Sequence, residues 1–277
     1  MSDKNHLRTF FYDNTAKLKV RLLTWKKYGT NTVPFLTWIR KNIPIANKTT
    51  SLLDVGCGTG QFLKEAVQTF PKLRVSGLDL SPAMVQESKR KLPPKSIIMI
   101  GDVESLPFKN NMFDVVTAIH MLYHVPNQKK ALLEMMRVTK QGGVIFITTT
   151  DYEVSLGLNK LHYEGLKKFE FPSFMQNTVS YLRCTPQKVD RLLNTLHLSS
   201  KKHIYQNYVH FPNIKSALSY YQSAMMYRQS HGLDDKRIKL EKWNLLYKYV
   251  RDGIALELQR LSYFHMPGKV VGYRIII

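Results

Sequence analysis

Between residues 51 and 150, short apolar runs alternate with longer stretches in which apolar residues recur every three or four positions. The short runs predict strands and the longer stretches predict helices. The predicted strands are 51–55, 73–79, 96–101, 113–120 and 143–150, and the predicted helices are about 60–70, 82–91 and 127–139. This alternation indicates an α/β fold with a parallel sheet, in which ligands bind at the carboxyl ends of the strands.

The flanking segments add further elements to this picture. Thr185 and Pro186 have the form of an N-cap followed by proline at the first helical position, which predicts a helix through about Leu196. The other predicted elements are strands at 202–211 and 269–277, helices at 213–227 and 235–261, and one or two helices in the aromatic-rich residues before Pro44.

A glycine-rich turn follows the first predicted strand. Gly56, Gly58 and Gly60 allow a sharp turn with positive φ and a close approach of the backbone to a ligand. The helix that follows offers free N–H groups and its positive dipole end. Asp79 ends the next strand, where a carboxylate can accept both hydroxyls of a ribose. The spacing matches neither the triphosphate loop nor G-x-G-x-x-G, which favours a nucleoside ligand with one small charged end.

The segment from Asp54 to Gly60 resembles the first motif of the class I S-adenosylmethionine-dependent methyltransferases. Four later segments agree with this family in order and spacing: 79–84, 101–108, 113–120 and 138–143. The resemblance covers roughly residues 50–150. It implies a three-layer Rossmann-like fold with a mostly parallel seven-stranded sheet and an antiparallel last strand, and it implies S-adenosylmethionine as the cofactor.

The resemblance also implies roles for individual residues. Asp79 would bind the ribose, apolar residues after it would form the adenine wall, and Asp102 would contact the adenine amine. The backbone of His120 would contact the methionine group. The predicted cofactor-binding residues are Tyr28, Asp54, Gly56, Cys57, Gly58, Gly60, Asp79, Leu80, Met84, Asp102, Val103 and His120.

Two of these residues have an alternative interpretation. The segment Tyr28-Gly29-Thr30-Asn31 resembles one found in a bacterial subgroup of the family, in which an N-terminal helix caps the cofactor. Tyr28 would then close over the methionine end, or it would be a core aromatic that packs the arm onto the domain. Cys57 is interpreted as a small side chain within the turn. With Cys184 as the second of two cysteines, neither a disulfide framework nor a metal site is expected.

We divide the chain into three parts: an N-terminal helical cap (1–50), a cofactor-binding core (51–150), and a part that completes the sheet and carries helical substrate-lid insertions at 152–184 and 212–266 (151–277). Its 277 residues suit one α/β domain with insertions. The sequence has neither a signal-peptide pattern nor a run of 18 apolar residues. We therefore expect a cytoplasmic protein with no membrane partner.

The chain carries a net charge of +21, and most of the excess lies in the flanking segments. Residues 1–50 carry ten basic and two acidic side chains, and residues 151–277 carry nineteen and ten. A basic surface can attract nucleic acid or an anionic acceptor. Lysines simply distributed over a solvated surface are the alternative interpretation.

Candidate catalytic residues follow the fourth predicted strand. His124 can act as a general base near neutral pH, and Tyr123 can orient an acceptor. Alternatively, His124 only hydrogen-bonds its loop. Weaker candidates are Glu153, His210 and His265. Neither Asp-Pro-Pro-Tyr nor Asn-Pro-Pro-Tyr follows this strand, which weakens the resemblance to enzymes that methylate amino groups of nucleobases and glutamine.

Three functions fit these observations. The first is transfer of the methyl group to an O or N atom of a small-molecule acceptor by in-line displacement. The second is methylation of RNA, which the charge suggests, although the sequence contains no recognisable RNA-binding module. The third is a regulatory protein that binds S-adenosylmethionine without catalysis. Oligomeric state is left open by the sequence.

Overall fold

The computed structural model describes residues 16–45, 51–151, 157–172, 184–224 and 240–277. The strands are β1 (Ser51–Val55), β2 (Arg74–Asp79), β3 (Ile97–Ile100), β4 (Phe113–Ile119), β5 (Thr139–Asp151), β6 (Ser200–Phe211) and β7 (Phe264–Ile276). The α-helices are α1 (Ala16–Tyr28), α2 (Phe35–Asn42), α3 (Gln61–Thr69), α4 (Pro82–Lys91), α5 (Gln128–Val138), α6 (Gly157–Lys168), α7 (Pro186–Thr195), α8 (Ile214–Ser223) and α9 (Leu240–Leu261). Glu153 lies outside the described residues.

The seven strands form one sheet in the order β3-β2-β1-β4-β5-β7-β6. Neighbours from β3 through β5 are parallel, and β7 runs antiparallel to both β5 and β6. All five residues of β1 are buried, as expected for a central strand covered on both faces. The predicted α/β fold, with its mostly parallel seven-stranded sheet and antiparallel last strand, is confirmed.

Two hydrophobic cores cover the two faces of this sheet. One core joins the sheet to α5 and α7, with Leu132 and Val189 among its buried residues. The other joins the sheet to α2, α3 and α4, with Ile39, Leu63 and Val85. The molecule therefore has three layers, and the carboxyl ends of the parallel strands are left at one edge.

The end of β6 and the beginning of β7 extend beyond this edge. Because Asp151, the last residue of β5, pairs with Lys269, the preceding residues of β7 have only β6 as a neighbour. Helices α6, α8 and α9 pack on one face of this two-stranded ribbon. The resulting ribbon core includes Leu158, Leu166, Val209, Phe211, Tyr221, Leu246, Val250, Phe264 and Met266.

Two strands begin four or more residues earlier than the sequence predicts. β5 starts at Thr139 instead of residue 143, because Thr139 already pairs with Phe113 before a register shift in the ladder. β7 starts at Phe264 instead of residue 269, and it includes Pro267. Proline lacks the N–H that a central strand needs. It is tolerated here because this part of β7 has β6 on one side only.

Residues that follow α1 pair with the outer edge of β6. Gly29 forms a β-bridge with Val209, and the N–H of Thr30 donates to the carbonyl of Tyr208 over 2.9 Å. The N–H of Asn31 donates to Oδ1 of Asn207 over 2.8 Å. These bonds fix α1 and α2 against the sheet. Among the described helices, none is both long and apolar enough to cross a membrane.

Candidate active site

The glycine-rich turn after β1 lies directly against the end of β2. The N–H groups of Gly56 and Cys57 both donate to the carbonyl of Leu78, over 2.7 and 3.0 Å. Gly56, Gly58 and Gly60 have φ values of +68°, +54° and +71°. This left-handed conformation favours glycine, which explains the alternate glycines in the sequence.

Asp79 fastens the turn with its side chain. Its Oδ2 accepts a hydrogen bond from the N–H of Gly58 over 2.8 Å, and its Oδ1 accepts one from the N–H of Ser81 over 2.9 Å. An ionised carboxylate has about four acceptor sites, so two backbone donors leave capacity for ligand hydroxyls. Burial raises the pKa of this carboxyl, although hydrogen bonds from the backbone of Ser81, Gly58 and Leu80 oppose the shift.

Asp54 is a second carboxyl beneath the turn. Its side chain is buried, and its Oδ1 accepts a hydrogen bond from Oγ1 of Thr117 over 2.7 Å. Burial raises the pKa of Asp54 to about 7, the hydrogen bond from Thr117 opposes this shift, and the charge of Asp79 adds to it. A cation bound at the turn would favour the ionised form, so this site is electrostatically suited to a positively charged ligand.

The substitution Asp54→Asn should make the protein more stable than the wild type, and increasingly so from pH 5 to pH 8. Because the pKa of Asp54 is about 7 in the folded protein and 3.8 is its ordinary value, ionisation costs wild-type stability across this window. The difference should grow by about 2–3 kcal/mol. Urea unfolding over this pH range measures it. Half-exposed Asp252 provides the control Asp252→Asn, which should follow the wild type. Parallel curves for Asp54→Asn and wild type would contradict the prediction.

The end of β3 lies beside Asp79. The N–H of Gly101 donates to the carbonyl of Asp79 over 3.0 Å, which places Asp102 next to the turn. Oδ1 of Asp102 accepts from the N–H of Glu104 over 3.0 Å, so the carboxylate is held in a tight local turn. Val103 is buried behind it. This arrangement presents a second oriented carboxylate at the same edge.

Besides Val103, three predicted cofactor-binding residues have apolar or thiol side chains, and they differ in exposure. Leu80 is half-buried, whereas Met84, in the first turn of α4, is fully buried. Cys57 is buried, and its Sγ packs so closely that a Cβ on Gly77 would come within 3.0 Å of it. Burial and the charges of Asp79 and Asp54 raise the pKa of this thiol well above its usual value. In the described ranges, no three His, Cys, Asp or Glu residues are grouped to hold a metal ion.

His120 follows β4 in a strained backbone conformation with φ of +51°. Its N–H donates to Oγ1 of Thr148 over 3.0 Å, and its ring stacks on Phe35 of α2 with centroids 5.0 Å apart. Burial lowers the pKa of His120 to about 4, so the ring is neutral at physiological pH. A histidine with a left-handed backbone, fixed both by its N–H and by its ring, is typical of a functional site.

The N-terminal arm reaches the turn through Leu18. A Cβ on Gly58 would come 4.0 Å from Cδ2 of Leu18. The ring of Tyr28 lies instead at the ribbon core, 6.2 Å from the ring of Phe211. Closure of Tyr28 over a ligand therefore stays a prediction. Leu18 and Phe35, by contrast, lie against Gly58 and His120 at the strand ends.

The candidate catalytic residues lie in a short 3₁₀ helix, Leu122–His124. The rings of Tyr123 and His124 are 4.4 Å apart. Met121, just before them, packs against the turn so closely that a Cβ on Gly56 would come within 2.6 Å of its Cβ. The segment is therefore adjacent to the glycines. His210 and His265 lie on the ribbon, with ring centroids 5.3 Å apart.

Comparison with known proteins finds similarity in the part of the chain that carries these residues. A family model described as "Methyltransferase domain" matches residues 53–147, from β1 into β5. Residues 53–147 therefore match a methyltransferase domain, in agreement with the resemblance of the sequence to the class I S-adenosylmethionine-dependent methyltransferases. The matched range contains the glycine turn, Asp79, Asp102 and His120. The arm and the ribbon core lie outside it.

Relatives of this methyltransferase domain cover part of the chain. Demethylmenaquinone methyltransferase from Staphylococcus epidermidis is 39% identical over 132 residues, which are 46% of this chain and 54% of that protein. The match thus spans about half the length of this relative. The corresponding enzyme from Staphylococcus aureus is 38% identical over the same length.

Solved structures extend the likeness in fold to most of the chain. The YcgJ protein of Bacillus subtilis superposes with a TM-score of 0.56 and 18% identity, over 87% of this chain and 97% of that one. Phosphoethanolamine N-methyltransferase 2 of Haemonchus contortus, in complex with S-adenosyl-L-methionine, gives a TM-score of 0.57 and 15% identity, over 99% of this chain and 59% of that one.

Proposed function

We propose that this protein is an enzyme that transfers the methyl group of S-adenosylmethionine to an O or N atom of a small-molecule acceptor. The observation that supports it most is the pairing of Asp79 with the amide of Gly58, within a turn of three left-handed glycines. This turn lies at the carboxyl edge of the sheet, where doubly wound folds bind their ligands. The family match covers the same residues.

The residues of this edge fit such a cofactor. Asp79 would accept the ribose hydroxyls, Asp102 would face the adenine amine, and the carboxyls of Asp79 and Asp54 would attract the positive charge. The N–H of His120 is already donated to Thr148, so the backbone of His120 would contribute its carbonyl oxygen. When bound, S-adenosylmethionine supplies a methyl group already activated by a positive sulfonium.

The protein's contribution to the rate would then be alignment and exclusion of water. Leu18 and Phe35 bring apolar surface to the strand ends, and the ring of His120 is neutral. Holding two reactants in line can account for roughly 7–11 kcal/mol of a barrier in favourable cases. No strong acid or base is required unless the acceptor must lose a proton.

His124 is our candidate for such a base, and the substitution His124→Gln tests it. If His124 removes the acceptor proton, the variant should lose about 10²–10⁴-fold in turnover, because this is the usual contribution of a general base. The variant should also lose the ascending limb of the pH–rate profile. Tyr123→Phe keeps the two rings packed and removes only the hydroxyl that would orient the acceptor, so it should lower turnover without changing the pH profile. Unchanged turnover and an unchanged pH profile in His124→Gln would exclude this role.

A small acceptor is favoured over RNA. The names of the relatives, demethylmenaquinone methyltransferase and phosphoethanolamine N-methyltransferase, denote small acceptors. Helices α6, α8 and α9 pack on the ribbon beyond the strand ends. They belong to the insertions predicted as substrate lids, which would enclose a small acceptor. The net charge of +21 is the observation that favours RNA. RNA affinity that falls steeply between low and moderate salt would support the alternative.

Calorimetric titration with S-adenosylmethionine tests whether the protein binds this cofactor. We expect one site per chain and proton release on binding near pH 7, because a bound cation should lower the pKa of Asp54 from about 7. Proton release is measured by repeating the titration in buffers of different ionisation enthalpy. The absence of any binding heat in every buffer would contradict the proposal.

A further inference from the structure

The outward face of α1 combines exposed leucines with lysines. Lys19, Leu22, Leu23 and Lys26 are spaced i, i+3, i+4 and i+7, so they share one face of the helix. Leu22 is 50% exposed and Leu23 is 53% exposed. Two adjacent half-exposed leucines on a helix that packs firmly on its other side call for an explanation.

The inward face of α1 is fixed by specific contacts. Nε1 of Trp25 donates to the hydroxyl of Tyr220 over 3.2 Å. The ring of Trp25 also packs on the backbone of Gly268, so closely that a Cβ on that glycine would overlap it. Leu18 lies over Gly58. The helix therefore cannot turn to bury Leu22 and Leu23 without breaking these contacts.

The described segments that carry and support this face have basic side chains and no acidic ones. Residues 16–45 contain seven basic side chains and no acidic one. Helix α8, which packs against α1, has exposed Lys215 and no acidic residue. Lysines attract an anionic surface, and the leucines beside them favour an apolar layer just below it. A surface of anionic lipid has both properties.

We propose that this face, the α1 face defined by Lys19, Leu22, Leu23 and Lys26, binds the surface of membranes rich in anionic phospholipids. The leucines enter the headgroup layer while the lysines contact phosphate. Such a contact is peripheral and needs no membrane-spanning helix. It would give the protein a membrane partner, which the sequence did not lead us to expect. It would place the strand ends beside Leu18 close to acceptors dissolved in lipid.

An anionic lipid surface fits this face better than RNA. Single-stranded nucleic acid is bound through exposed aromatic rings on which bases stack. The α1 face has no aromatic residue, and among the described residues the exposed large hydrophobic side chains are aliphatic except for Tyr263. Phosphate contacts alone would use the lysines and would have no need of Leu22 and Leu23.

Co-sedimentation with vesicles tests the proposal, without cofactor or acceptor, so its outcome is independent of the proposed methyl transfer. We expect the protein to pellet with phosphatidylcholine vesicles that contain phosphatidylglycerol, and far less with phosphatidylcholine alone. Lys19→Glu/Lys26→Glu and Leu22→Ser/Leu23→Ser should each weaken binding about ten-fold or more. Thermal unfolding of each variant should match the wild type, because these side chains are exposed.

Exposed side chains elsewhere provide matched controls. Lys129→Glu/Lys130→Glu reverses two lysines on α5, and Leu133→Ser/Leu256→Ser removes two exposed leucines. Both control variants should bind vesicles within about two-fold of the wild type. Failure of the wild type to pellet with phosphatidylglycerol vesicles at low salt would overturn the proposal. Equal losses of vesicle binding in the control variants would overturn it too. The same holds if the leucine variants bind vesicles normally while the lysine variants lose binding to single-stranded RNA, measured in parallel.

Discussion

Replacing Asp79 by alanine should weaken the binding of S-adenosylmethionine at least about 100-fold. The carboxylate of Asp79 lies at the end of β2 with acceptor capacity beyond its two backbone hydrogen bonds. Hydrogen bonds to a charged group contribute about 1.5–3 kcal/mol each, and 1.4 kcal/mol is a factor of ten in affinity. The substitution also leaves the N–H of Gly58 without its acceptor, which loosens the turn.

Calorimetry of the variant measures this effect against two controls. Asp252→Ala removes a carboxylate on the exposed face of α9 and should bind like the wild type. Asp79→Asn keeps one oxygen for the N–H of Gly58 but loses the charge, so its affinity should fall between the other two. Affinity in Asp79→Ala equal to the wild type would remove the ribose assignment.

Gly60→Ala should destabilise the fold by about 2–5 kcal/mol and remove cofactor binding. The left-handed backbone at φ of +71° costs an L-residue roughly 1–2 kcal/mol. The added Cβ would also meet the side chain of Ser88 at 2.3 Å and its Cα at 3.2 Å. Overpacking of this kind costs typically about 1–3 kcal/mol. The hydroxyl of Ser88 would have to rotate away, and the backbone of α4 at Ser88 would have to shift by a few tenths of an ångström.

Gly142 offers a control that separates the two costs. It has φ of +74°, and nothing lies within 4 Å of an added Cβ. Gly142→Ala should therefore lose only the left-handed cost of about 1–2 kcal/mol and should keep cofactor binding. Urea unfolding and calorimetry of both variants give the comparison. Equal destabilisation by the two substitutions would show that close packing against Ser88 does not matter.

Much of the core could be predicted because its signals are local. The glycines at 56, 58 and 60 predict a left-handed backbone, and all three adopt that conformation. Thr185 caps its helix, accepting from the N–H of Lys188, as its place before a proline predicts. Each of these features depends on residues within a few positions of one another, so one sequence is enough to reveal them.

The contacts of the arm could not be predicted in the same way. Asn31 bonds Asn207, 176 positions away, and Phe35 stacks on His120. Aromatic residues in the first 50 positions signalled that the arm packs on something, but the partner depends on the tertiary fold. The same holds for Tyr28, whose ring lies beside Phe211. The bond from Gly58 to Asp79 likewise needs the register of β1 and β2.

Transfer of a labelled methyl group tests the central claim most directly. The protein is incubated with S-adenosylmethionine labelled in its methyl group and with a cell extract separated into low-mass, RNA and protein fractions. We predict label in the low-mass fraction, with Asp252→Ala as active as the wild type and Asp79→Ala inactive. Label in RNA or protein would contradict the proposed acceptor class. Transfer to no fraction, by a chain that binds S-adenosylmethionine, would contradict catalysis itself.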